Sequence, residues 1–341
     1  MKIKTLGRTG INVFTIGIGT GLLGVQNPKD RLEVYRGKPF LADVDLGAET
    51  LIVSVKGLVE GAKKQGFRVG QARFVIDTAP FYCDRRSEEA IGRMLDFDPK
   101  FRDWVVITTK VGQIFNEFDE SCSRIDYGRR AVVSNLATSI QRTGFDFQLV
   151  YLHDPMGLSQ KEILLARDAI MNFKPEIFVG IAANDPDTTE HLLQTGLFPA
   201  AVVPEAVSLI NRRIEKGILP AAKKYNIGIA AATVIERGLL TDTPFQDQKL
   251  YLGRSFTENC LRHVSKMRKF CEKENLSLGA VAIQWPVQYE QIACSIIGIS
   301  CLEEAEEFVK NSTKKIPDSF WEKFVSQTKH FEDQRIIWSP Q

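Results

Sequence analysis

The chain has 341 residues, of which 44% are apolar and 25% charged, the composition of an ordinary globular protein with a large core rather than of a disordered chain. Its 44 Lys and Arg against 42 Asp and Glu leave a formal net charge of +2, and no basic stripe interleaved with aromatics marks a nucleic-acid partner. The length admits two average domains or one parallel barrel.

The opening stretch, MKIKTLGRTGINVFTIGIGTGLLG, scatters Lys, Gly and Thr among its apolar residues. Neither a signal-peptide core nor a membrane span is visible there, and a cytoplasmic protein with no membrane partner is expected. The six cysteines, Cys83, Cys122, Cys260, Cys271, Cys294 and Cys301, form no CxxC pair and no metal-like spacing. In a chain this large they are read as reduced thiols.

Short apolar runs rich in β-branched residues recur along the chain. They begin with FTIGIGT at 14–20 and continue with FVIDTA at 74–79, VVITTK at 105–110 and LVYLHD at 149–154. EIFVGIAAN at 176–184, AAVVPEAVS at 200–208, IGIAAATV at 227–234 and ACSIIGIS at 293–300 complete the set. Near-continuous apolar character predicts strands buried on both faces, as in a parallel sheet. Between them, Leu51, Val55, Leu58, Val59 and Ala62 share one helical face, and so do Val133, Leu136, Ala137 and Ile140.

Eight strands alternating with helices, undivided by a linker, predict an α/β fold: a single (β/α)8 TIM barrel spanning 1–341 as one domain. Segments 21–48 and 241–256 exceed a minimal barrel and are predicted to be long loops on its active face. FRVGQAR at 67–73 is predicted to lengthen a link on the opposite face.

Four ionisable side chains close three of these runs: Asp77 and Tyr82, then Lys110, then His153. In a barrel they meet at the C-terminal rim, where barrel enzymes build their sites. A phenol with an ordinary pKa near ~10 needs a neighbouring ammonium to exchange protons near neutrality. Lys110 would supply that charge, Asp77 would hold it, and His153 would hydrogen-bond the reacting oxygen. Such a set suits interconversion of alcohols and carbonyls.

The motifs DTAPFYCDRRSEEAIG, ITTKVG, LVYLHDP and GLLT, in that order, resemble the aldo-keto reductase superfamily over nearly the whole chain. The stretch from ITTKVG through DYGRRAVVSNLATSIQRTGFDFQLVYLHD is similar to NAD(P)-dependent aldose 1-dehydrogenases of the L-galactose, D-arabinose and D-threo-aldose type. That resemblance implies hydride transfer between a nicotinamide cofactor and the carbonyl, alcohol or hemiacetal carbon of an aldehyde, ketone or sugar. It makes Tyr82 the general acid or base, Lys110 its modulator, His153 an orienting partner and Asp77 the fourth member, beside the cofactor.

The resemblance further implies a cofactor groove lined by Gly19, Thr20, Asn184, Gly238, Leu239, Gly298, Ser300 and Glu304. Three positions depart from the family pattern: Ala183 replaces a serine, Pro204 a glutamine, and Ala232 the tyrosine that stacks on nicotinamide. At the last strand-to-helix turn, Ser300, Cys301 and Glu304 stand where NADP-dependent relatives carry Arg or Lys. A ribose hydroxyl can donate to a carboxylate whereas a phosphate needs donors, so Glu303 and Glu304 favour NAD over NADP, while the amides of the helix N-terminus could still cradle a phosphate. Ser300 with Glu303 also reads as a helix capping box.

No metal is expected, because His191, His263 and His330 lack a second ligand at metal spacing. Phe81, Phe115, Phe118 and Met156 are candidate walls of a substrate pocket, although packing of the loops on themselves explains them equally well. Two other functions stay open: a catalytically idle NAD(P)-binding barrel that senses redox state for a partner, and a Schiff-base lyase using Lys110. Oligomeric state and the identity of the substrate are not encoded legibly.

Overall fold

A computed structural model describes residues 1–35, 42–116, 119–242, 250–251 and 254–328. In chain order it begins with a hairpin of β1 (Ile3–Thr5) and β2 (Asn12–Gly19), followed by α1 (Pro28–Tyr35) and α2 (Val44–Lys64). Then come β3 (Arg73–Asp77), α3 (Arg86–Phe97), β4 (Val105–Val111) and a second hairpin, β5 (Gln113–Asn116) with β6 (Asp119–Ile125). The alternation continues through α4 (Arg129–Thr143), β7 (Leu149–His153), α5 (Gln160–Phe173), β8 (Phe178–Ala182), α6 (Pro186–Gln194) and β9 (Ala200–Val203). After α7 (Ile218–Tyr225) and β10 (Gly228–Ala231), a short pair, β11 (Leu250–Tyr251) and β12 (Arg254–Ser255), precedes α8 (Glu258–Lys273) and α9 (Leu278–Gln284). The last elements are β13 (Ile292–Gly298), α10 (Leu302–Thr313) and α11 (Asp318–Thr328).

The eight predicted runs become β2, β3, β4, β7, β8, β9, β10 and β13. They pair in parallel in the order β2–β13–β10–β9–β8–β7–β4–β3, and β3 returns to β2 through Gly19 opposite Asp77, closing the predicted (β/α)8 barrel. Closure gives each of the eight barrel strands a neighbour on both sides and a packed residue layer on both faces.

Alternation along the strands divides the core. Inward residues such as Val75, Val106, Leu149, Tyr151 and Ile296 fill the barrel, while outward ones such as Phe74, Ile107 and Val150 pack against the helices. On α2 the predicted apolar face is the buried face. On α4 it is rotated: Val132, Leu136, Ser139 and Thr143 are buried, and Val133 and Ile140 only partly.

The β1–β2 hairpin closes the barrel floor, with Leu6 and Ile11 plugging its interior. Lys4 Nζ donates to the carbonyls of Val287, Tyr289 and Ile292 at 2.7–2.9 Å, tying the hairpin to the last strand. Gly7, at a φ of 52°, lies so close to β10 that a Cβ on Gly228 would fall 2.3 Å from its nitrogen. Both positions therefore demand glycine.

Of the two long segments, the first carries α1 and the second the β11–β12 pair; 36–41, 243–249 and 252–253 lie outside the described residues. The main chain of the first returns to the barrel mouth, where Gly24 N donates to Ser300 O at 2.9 Å. FRVGQAR joins α2 to the start of β3, the end opposite Asp77, and Phe67 packs edge-on against Phe14. No helix among the described residues is long and apolar enough to cross a membrane.

Candidate active site

β3 ends at Asp77, β4 carries Lys110 at its penultimate position, and β7 ends at His153. Adjacent strands thus deliver all three to one rim, and the turn after β3 brings Tyr82 over them. Lys110 Nζ donates to Asp77 Oδ2 at 2.6 Å and to Thr78 O at 2.9 Å. Thr108 Oγ1, two residues earlier on the same strand, donates to Asp77 Oδ1 at 3.0 Å, so both carboxylate oxygens are engaged. The ammonium lies 4.5 Å from the centre of the Tyr82 ring, and His153 meets that ring edge-on at 5.9 Å.

Burial decides the protonation states. It pushes the Tyr82 phenol up to about 12, against the opposing pull of Lys110. Burial also works to lower the Lys110 pKa, but Asp77 and Tyr82 outweigh it and hold the ammonium above its ordinary value. His153, buried and facing Lys110, is driven well below the usual imidazole value. The resting site is therefore a neutral phenol, a charged ammonium and a neutral imidazole. Lys110 does pull the phenol downward, in the direction expected from the sequence, and desolvation is the larger effect.

Tyr82 and Asp77 border a cavity of about 620 Å³ that runs outward between the barrel mouth and α10. Of the residues expected to hold a cofactor, Gly19, Thr20, Gly238, Gly298, Ser300 and Glu304 line it. A Cβ on Gly21 or Gly298 would meet no atom within 4 Å and would project into the cavity, so the backbone there is open to close approach. A cavity of this size, with bare backbone at Gly21 and Gly298 along its wall, has room for a dinucleotide.

Two expected contacts lie elsewhere. Leu239 is 3% exposed and packs in the core with Leu209, Ile210 and Leu240. Asn184 sits exposed on the rim, outside the cavity lining, and Asp154 fixes its amide: Oδ2 accepts from Nδ2 at 2.9 Å and Oδ1 from its main-chain N–H at 2.8 Å. Ala232 does line the cavity, where the family pattern has a tyrosine, and leaves space instead of a stacking ring.

The predicted capping box of Ser300 with Glu303 does not form, because the helix starts one residue later and its N-cap makes no side-chain cap bond. Cys301 is the N-cap of α10, and Glu304 Oε2 accepts from Ser300 N at 2.9 Å and from Ser300 Oγ at 2.7 Å. Its other oxygen pairs with Arg31, which the sequence reading did not single out. Arg31 is one of two cations in PKDRLEVY, a polar helix without motif; only its 6% exposure betrays it.

Phe81 lies 6.1 Å edge-on from His153, and Met156 is 40% exposed on the same rim. The Phe115 side chain and Phe118 lie outside what is described, as does His330. His191 is exposed on α6 and His263 partly buried on α8. Among the described residues no group of three or more His, Cys, Asp or Glu is placed to hold a metal ion.

The model of the aldo/keto reductase family matches residues 53–328. The chain belongs to the aldo/keto reductase family. It is 25% identical to pyridoxal 4-dehydrogenase of Microbacterium luteolum, over 93% of this chain and 95% of that one. It is also 25% identical to D-threo-aldose 1-dehydrogenase of a Pseudomonas species, over 72% and 80%. Its fold superposes on the holo form of an aldo-keto reductase from Bacillus halodurans with a TM-score of 0.68 at 18% identity, covering 96% of both chains. This aldo/keto reductase is accordingly an oxidoreductase of a family that generally uses NAD(P)H.

Proposed function

We propose that this aldo/keto reductase moves a hydride between a nicotinamide dinucleotide and the carbonyl or hemiacetal carbon of an aldehyde, ketone or sugar. The observation that carries this reading is Lys110 Nζ held 2.6 Å from Asp77 and under the Tyr82 ring, at the inner end of a dinucleotide-sized cavity. The names of the relatives, which concern pyridoxal and aldoses, agree with a small carbonyl or sugar substrate.

The nicotinamide ring, when bound, gives or takes the hydride. Everything else falls to the chain's own groups. In reduction, the Tyr82 phenol donates its proton to the substrate oxygen, and Lys110 stabilises the phenolate that remains. Asp77 keeps the ammonium in position, and neutral His153 offers an N–H to the same oxygen. In oxidation Tyr82 acts as the base. A Lys110 so buried and so firmly protonated is a poor Schiff-base nucleophile, which argues against a lyase.

NAD is the preferred cofactor in this reading, because Glu303, Glu304 and Glu307 line the outer end of the cavity and oppose a 2′-phosphate. We read residues 1–341 as one barrel domain working in the cytoplasm, with no nucleic-acid, membrane or metal partner. Titration of NADH and NADPH with the protein, followed by nicotinamide fluorescence, tests the cofactor, and a screen of aldoses and small aldehydes then tests the substrate class. Unchanged fluorescence with both nucleotides would overturn the proposal.

A further inference from the structure

The outer end of the cavity, remote from Tyr82, is closed by two segments whose side chains meet in an ion pair. Ser300 and α10 form one side, and α1, from the long segment after the first barrel strand, forms the other through Arg31. Since the chemistry sits beside Tyr82, a dinucleotide bound with its nicotinamide there must lay its adenosine ribose toward this far end.

The Arg31 side chain is 7% exposed. Its own segment anchors it: Nε donates to Val25 O at 3.1 Å and Nη2 to Gln26 O at 3.2 Å, while Cys301 Sγ lies 3.5 Å from Nη2. The remaining nitrogen, Nη1, pairs with Glu304 Oε1. Two main-chain carbonyls therefore fix the guanidinium whether or not Glu304 is charged. Glu304 is fixed independently from the α10 side, by Ser300 N and Oγ. Cation and counterion are thus separately mounted on the cavity wall, and removing the charge of one leaves the other in place.

We propose that Arg31 is the residue that reads the 2′ position of the adenosine ribose, and that Glu304, by neutralising it, sets that reading to a hydroxyl. A hydroxyl can donate to the carboxylate and accept from the guanidinium. A dianionic phosphate meets Glu304 first and gains nothing from an arginine already paired. With the carboxylate made neutral, the same arginine becomes a phosphate site, because guanidinium and phosphate match as a charge-assisted pair. The inference rests on the reading of the cavity as a dinucleotide site.

The test compares NADH and NADPH dissociation constants, by nicotinamide fluorescence, for the wild type, Glu304→Gln and the double variant Arg31→Met with Glu304→Gln. The glutamine keeps an acceptor for Ser300 and loses the charge. Glu304→Gln should shift the affinity ratio toward NADPH by about 10- to 100-fold, the worth of one hydrogen bond to a charged partner. The double variant should lose that gain while still binding NADH. If the wild type binds either nucleotide and the ratio stays unmoved in Glu304→Gln, or the gain survives in the double variant, this inference fails and the proposed function stands. If the wild type binds neither, both fail. Should Glu304→Gln not fold, Glu304→Asp, whose shorter stem weakens the pair, must shift the ratio in the same direction by a smaller factor, and no shift counts against the inference.

Discussion

Replacing Lys110 with methionine separates what the ammonium does for the fold from what it does for the reaction. The Lys110 and Asp77 side chains are 2% and 5% exposed. A methionine fills the aliphatic path but leaves the Asp77 carboxylate buried, with Thr108 Oγ1 as its one side-chain donor among the described residues. Removing one partner of a buried ion pair costs about 3–5 kcal/mol. A chain of this length unfolds with an entropy of about 0.7 kcal/mol/K, so the melting temperature should fall by about 4–7 °C. Adding Asp77→Asn removes the stranded charge and should restore most of that loss. Catalysis should not return with it, since neither variant has a cation to stabilise the Tyr82 phenolate. Both should reduce aldehydes at least about 100-fold more slowly than the wild type. Melting followed by tryptophan fluorescence and turnover followed by nicotinamide absorbance give the two readouts. A double variant as unstable as the single one would refute the stranded-charge argument, and recovery of activity alongside stability would refute a chemical role for Lys110.

Two further outcomes follow from the same geometry. Gly298→Val should weaken binding of NADH by about tenfold or more while leaving the melting temperature unchanged, because its side chain enters open cavity rather than packed protein; equal loss of stability would place Gly298 in the core. The pH dependence should differ between directions, since Tyr82 is raised from 10.0 to about 12 and His153 lowered from 6.5. The phenol keeps its proton until pH climbs toward the raised value, and the imidazole is neutral above its lowered one. Reduction should therefore hold level from about pH 7 to about pH 9, while oxidation, which needs the phenolate, rises with a logarithmic slope of about one. A basic limb near neutrality in reduction would contradict the raised phenol.

The barrel was legible because parallel strands buried on both faces must be written in continuous apolar runs, as VVITTK and LVYLHD are, and their order left little choice of topology. Asp77, Lys110 and His153 were legible for the same reason: polar residues ending apolar strands are conspicuous. The β5–β6 hairpin was not, since DESCSRI has neither alternation nor an apolar face. Glu304 was noticed for its charge, yet its partner was not. The Arg31 contact joins residues 273 apart in sequence, and nothing in either local segment points to the other. Leu239 was expected at the cavity from the GLLT motif, yet the turn that brings Arg237, Gly238 and Thr241 to the cavity sends the leucine into the core.

Tyr82→Phe, set beside the wild type, isolates the phenol's proton, with nicotinamide absorbance followed during reduction of an aldehyde and fluorescence followed during cofactor binding. The phenylalanine retains the ring over Lys110 and removes only the proton. Cofactor affinity should stay unchanged while turnover falls by about 100- to 10,000-fold. A Tyr82→Phe variant that turns over at the wild-type rate would contradict the proton transfer assigned to Tyr82.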